Sequence, residues 1–98
     1  MENVYIITMK IANDVSTERY IKGVFTTEDS ARIEMLNQFD IAKAIFRKKY
    51  NNTAYTENDI VEFIDDKTCA IYNNYAFDEI WFYIEKVETN KKVSLQLI

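Results

Sequence analysis

From Val4 to Ala12 the chain alternates, with Tyr5, Ile7, Met9 and Ile11 on one side and Val4, Ile6, Thr8 and Lys10 on the other. A period of two predicts a strand. The second side is apolar at one end, as in a strand covered on both faces inside a sheet. The polar stretch Asn13–Thr17 reads as a connection and Glu18 to Phe25 as a second strand, giving a hairpin with a loop longer than two residues. The chain's one glycine, Gly23, falls inside that second strand, where it marks a bulge or a close backbone approach.

The period then changes. Thr26-Thr27-Glu28-Asp29 offers a capping hydroxyl followed by acids where a helix dipole favours them. From there Ala31, Met35, Leu36, Phe39, Ala42, Phe46 and Tyr50 share one sector of a helix, flanked by Ile41 and Ile45. The spacing predicts one long amphipathic helix over about residues 27–50, with Arg47, Lys48 and Lys49 in its last turn and Asn51-Asn52 as its stop. Thr56-Glu57-Asn58-Asp59 repeats the cap signal. Ile60, Val61, Phe63 and Ile64 then form a stripe opposed by Asp59, Glu62 and Asp66, which predicts a short second helix over about 57–67.

Thr68 to Phe77 fits either a continued helical stripe or a short strand and turn, and the strand is preferred. Glu79 to Thr89 is the clearest strand. Ile80, Phe82 and Ile84 lie on one face and Trp81, Tyr83 and Val87 on the other, so a central place beside the first strand is expected. Val93, Leu95 and Leu97 alternate as an edge strand. The expected fold is α+β, a single domain over residues 1–98. It has an antiparallel sheet of three to five strands, the long helix on one face and the short helix elsewhere.

Composition narrows the chemistry. The 98 residues contain no His, no Pro, one Gly and one Cys. Those absences remove His-based triads, His metal sites, Gly-rich phosphate loops and a disulfide within one chain. Cys69 reads as a small buried hydrophobe of a reducing compartment. No basic leader and no membrane-length apolar run occurs, so a cytoplasmic protein is expected. Abundant Ile, Asn, Lys and Tyr beside scarce Gly, Ala and Arg point to an AT-rich genome.

The net charge of −4 is uneven, with the acidic excess in the second half. Glu57, Asp59, Glu62, Asp65 and Asp66 occur with no base before Lys67. Such a stripe is ordinarily a solvated helix face. Functionally, like charges held together suit a basic groove, such as a protein surface that holds nucleic acid. A Mg²⁺ site built from Asp65-Asp66 and Asp78-Glu79 would need those carboxylates to converge. Lys43, Arg47, Lys48 and Lys49 could grip phosphate but sit where cations cap a helix dipole. The aromatic run Tyr72, Tyr75, Phe77, Trp81, Phe82 and Tyr83 has the composition of a base-stacking platform without interleaved cations. Trp81 and Tyr83, on the face opposite Phe82, need a cover: the second helix, a symmetry mate or a protein partner.

The opening V-Y-I-I-T at Val4 to Thr8, with G-V-F-T-T-E-D-S-A at Gly23 to Ala31, resembles a pattern of small uncharacterised proteins of low-GC bacteria and their phages. In these a hairpin leads into one long helix and the chain closes on an aromatic-rich strand, here Ile80 to Val87. The resemblance covers about the first third of the chain and one later strand, and it implies no site residues. In general profile the chain is also similar to phage-encoded inhibitors of host defence, the anti-CRISPR proteins included, a likeness of type without a shared motif.

The expected function is therefore non-enzymatic. A phage or mobile-element protein would bind and inhibit a host protein with a basic nucleic-acid-binding groove, most simply a defence effector. Its contacts would be Glu57, Asp59, Glu62, Asp65 and Asp66, with Trp81 and Tyr83. No cofactor, metal, membrane or direct nucleic-acid contact is expected. The alternatives are a homodimeric structural or regulatory module joined through the Trp81/Tyr83 face or the C-terminal edge strand, and a small metal-dependent nuclease.

Overall fold

The N-terminal alternation produces a hairpin in the computed structural model, which describes residues 3–50, 59–74 and 76–88. Strands β1 (Asn3–Ala12) and β2 (Thr17–Phe25) pair antiparallel from Tyr5↔Phe25 to Ala12↔Thr17. Asn13 closes the connection on itself, its side-chain oxygen accepting from the amides of Val15 and Ser16 at 2.9 Å. The register shifts between Ile7 and Thr8, whose partners are Gly23 and Ile21, so Lys22 is the extra residue of a β-bulge. A Cβ on Gly23 would stand 2.7 Å from Cε2 of the Phe25 ring, and glycine is what leaves the ring its place.

Helix α1 spans Glu28–Lys49. Thr27 caps it from an extended conformation, accepting the Ser30 amide at 3.1 Å, with Glu28 and Asp29 in the first turn. Ala31, Met35, Phe39 and Phe46 turn into the core. Ile41 and Ile45, at the edge of the apolar sector, stay exposed.

The short second helix over 57–67 is not formed. Residues 57 and 58 lie outside the described part, and Ile60–Ile64 is a strand, β3. The segment carries both periods, because the helical stripe Ile60, Val61, Phe63, Ile64 is also the alternation Ile60/Glu62/Ile64 against Val61/Phe63. Its β-branched residues favour the strand, and pairing with β4 (Thr68–Asn73) decides it, from Ile60↔Asn73 to Ile64↔Cys69. Asp65 makes the turn between them, its carboxylate accepting the amides of Lys67 at 3.0 Å and Thr68 at 2.9 Å. Strand β5 (Glu79–Glu88) pairs with β1 on one side and β4 on the other, as its two apolar faces predict. The sheet is antiparallel throughout, in the order β2-β1-β5-β4-β3. The edge strand expected at Val93–Leu97 lies outside the described residues.

Helix α1 lies on one face of this sheet. Ile7 of β1, Cys69 and Ile71 of β4, and Phe82 and Ile84 of β5 meet Met35, Phe39 and Phe46 there. Phe39 and Phe82, each about 1% exposed, pack edge to face at 6.3 Å. Burying each such side chain contributes roughly 1.5–3 kcal/mol, which makes this layer the main support of the fold. No described helix is long and apolar enough to cross a membrane.

Candidate functional site

The opposite face of the sheet carries no described element, and the pairing register states what it displays. One row runs Arg19, Lys10, Trp81, Ala70 and Phe63 across the five strands. The next runs Ile21, Thr8, Tyr83 and Thr68, and beyond it stand Val24, Ile6 and Glu85. Tyr72 and Val61 lie on the other side of the Trp81 row. The centre of this face is therefore aromatic, and around it aliphatic residues (Ile6, Ile21, Val24, Val61) alternate with polar and charged ones (Thr8, Lys10, Arg19, Thr68, Glu85), a mixed composition found at contact surfaces.

The rings are aligned. Tyr72 lies 3° from parallel to Trp81 at 6.3 Å, and Tyr83 lies 10° from parallel at 6.1 Å. Phe63 approaches Trp81 to 6.4 Å from β3. Ala70 lies between Phe63 and Trp81 in the pairing and has no exposed surface, so its short side chain is what lets the rings close over it. The indole N–H of Trp81 is buried without a hydrogen-bond acceptor among the described residues.

Cations enter from neighbouring strands. Lys10 holds its ammonium 5.5 Å over the Trp81 ring and 3.1 Å from Glu79. Arg19 stands beside Lys10 in the register and is exposed. Along the chain no cation is interleaved with the aromatics of residues 72–83. The sheet supplies Lys10 and Arg19 across it, and the polar end of the first strand, Thr8 and Lys10, is its trace in the sequence. Next to the aromatic ridge, a hollow of about 340 Å³ is lined by Thr8, Arg19, Thr68, Tyr83, Ile84 and Glu85.

The acidic candidates are dispersed. Glu57 lies outside the described residues. Glu62 faces α1, where Arg47 donates to it and Lys43 stands 3.5 Å away. The Arg47 hydrogen bond, with the charges of Lys43 and Arg47, holds its carboxyl below the ordinary value against the opposing effect of burial. Asp59 precedes β3, while Asp65 and Asp66 follow it at the other end. The backbone carbonyl of Asp66 accepts from Arg32 at 3.2 Å.

The carboxylates that would have to converge on a metal also separate. Asp65-Asp66 and Asp78-Glu79 sit at opposite ends of β4, and no metal-binding group of three or more acids or thiols occurs among the described residues. Asp78 instead accepts from the Lys49 ammonium at 2.6 Å and from the Tyr50 hydroxyl. Burial raises its pKa, but these two hydrogen bonds and the Lys49 charge outweigh burial and leave it lowered. Thus Arg47 and Lys49 of the basic helix end are engaged with carboxylates. Phe77, before Asp78, is exposed and takes a left-handed backbone conformation (φ 58°), strained for a bulky residue. It therefore does not join the aromatic face, and Phe82 is in the core.

No family model matches the chain, and no curated protein or solved structure matches it. The residues themselves carry the functional argument. Cys69 is fully buried and burial pushes its thiol up to about 12, so it is protonated and shielded at neutral pH.

Proposed function

We propose that this chain is a non-enzymatic binding protein and that the open face of its sheet is the surface it offers to a protein partner. The observation that carries this reading is the parallel alignment of Tyr72, Trp81 and Tyr83 on a face that no described element covers. Trp, Tyr and Arg dominate binding energy at interfaces because they bury a large area at a small loss of freedom. The charges around the ridge are mixed, Lys10 and Arg19 against Glu79 and Glu85, and Lys10 is already paired. A nucleic acid calls for a greater excess of cations, so a protein is the class of partner favoured.

Inhibition of a host nucleic-acid-handling protein is one function such a surface could serve. It would then act chiefly through Trp81 and Tyr83. Glu62 is neutralised within the chain and Asp65 is committed to its turn, so neither is spare for a basic groove.

Site-specific photo-crosslinking in cells tests the reading. A photoreactive phenylalanine at position 83 is expected to give protein adducts, while the same group in place of Ile33, exposed on α1, gives none. Equal yields at both positions, or none at 83, would overturn it.

A further inference from the structure

We propose that the outer edge of β2 is the interface of a homodimer, in which two copies of this chain join their β2 strands antiparallel about a two-fold axis through Tyr20, perpendicular to the sheet. Strand β2 stands at the end of the sheet, and among the described residues nothing pairs with its outer edge. Thr17 to Lys22 are all exposed, with Tyr20 on one face of the strand and Ile21 on the other. A nine-residue edge with apolar side chains on both faces is a template for a further strand. This surface is distinct from the open face described above.

The hairpin fixes which backbone groups the edge presents. The Asn13 amide donates to the Ser16 carbonyl at 2.9 Å, and inward and outward residues alternate along β2 from there. Glu18 and Tyr20 thus turn their N–H and C=O groups toward β1, while Thr17, Arg19 and Ile21 turn theirs outward. A two-fold pairing of β2 with itself must then set odd-numbered residues opposite odd-numbered ones, which centres it on Arg19, Tyr20 or Ile21.

Charge chooses among the three. Centred on Arg19, the pairing sets Glu18 opposite Tyr20, and centred on Ile21 it sets Glu18 opposite Val24. Centred on Tyr20, it sets Glu18 of each copy opposite Lys22 of the other. These residues share the helix side of the sheet: Glu18 and Tyr20 lie opposite Ile11 and Met9, and Lys22, the bulge residue, lines a hollow with Gln38, Ile41 and Ile45. Neither Glu18 nor Lys22 has an ion-pair partner among the described residues, and the dimer provides both with one. Two-fold contacts need self-complementarity of this kind. The same hollow shows that Ile41 and Ile45, both exposed, lie on the side of α1 that looks toward β2. An axis perpendicular to the sheet keeps both helices on one side of it, so these two apolar margins face each other across the Tyr20 pair.

Sedimentation of the full chain tests the interface. The wild-type chain is expected to dimerise. Glu18→Lys and Lys22→Glu each place like charges opposite each other twice per dimer and should raise the dimer Kd by at least about tenfold. Mixing the two variants restores both pairs and should restore dimerisation as a heterodimer, as should the double variant. Circular dichroism verifies that the variants fold. The register has its own readout. Residue 20 faces its symmetry mate with Cα atoms about 4.5 Å apart, within the span of a disulfide. Tyr20→Cys should therefore give a disulfide-linked dimer on mild oxidation with diamide, and Glu18→Cys should not, while the buried Cys69 stays reduced in both.

Monomeric sedimentation of the wild type at every concentration overturns the proposal, as does a dimer indifferent to both reversals, reversals that no mixture rescues, or equal crosslinking of the two cysteine variants. The open faces of both copies lie on the other side of the joined sheet and remain free, so the crosslinks at position 83 decide their role separately.

Discussion

Glu62 and Asp78 are the two carboxylates that the fold binds most closely, and together they set an acid limit. Both ionise below the ordinary range in the folded chain, Glu62 through Arg47 and Lys43, and Asp78 through Lys49 and Tyr50 against the effect of its burial. In the unfolded chain they recover ordinary values, so the unfolded state binds more protons as pH falls through that range. Their contribution is fully present above about pH 5 and is lost as pH drops toward the folded values. The urea midpoint is expected to hold from about pH 7 to 5 and then to fall, and Glu62→Gln with Asp78→Asn should flatten that fall. An unchanged acid slope in the double variant would refute the assignment. Glu62 was singled out from the sequence as a surface acid. Its ion pairs depend on Lys43 and Arg47 of a helix reached only through the tertiary fold, which no local pattern reveals.

Elements divide by how local their determinants are. Helix α1 was legible because cap, first-turn acids, apolar sector and last-turn cations all occur within its own sequence. Thr27→Ala removes the acceptor of the Ser30 amide and should lower stability by about 1 kcal/mol in urea denaturation. A loss near zero would show that Ser30 or water replaces the cap. The strands of the hairpin and β5 were legible for the same reason, since alternation is a local property. Residues 60–64 were not. Five residues hold too few turns to separate a period of 3.6 from one of two, and the presence of β4 alongside settles the matter.

For the whole molecule, the two faces of β5 have different tasks, and substitution separates them. Phe82→Ala opens a cavity against Phe39 beneath the helix and should cost about 3–5 kcal/mol, seen as a large drop in the urea midpoint. Trp81→Ala, on the open face, should cost much less stability and instead lower the yield of protein adducts from the photoreactive group at position 83. An adduct yield at position 83 unchanged by Trp81→Ala would place the contact elsewhere.

The sequence by itself determined the α+β class, the long helix with its ends, the hairpin and the two-sided character of β5, because periodicity and capping are encoded among near neighbours. It also set Trp81 and Tyr83 apart from Phe82, since alternation alone puts them on opposite faces. Only the tertiary structure brought Lys10, Arg19, Tyr72 and Phe63 beside Trp81, set Glu85 across the Tyr83 row from Arg19, and divided the acidic run between a helix-facing ion pair and a turn. These are consequences of strand order and register, which bring residues distant in the chain to within a few ångströms and leave no trace in local spacing.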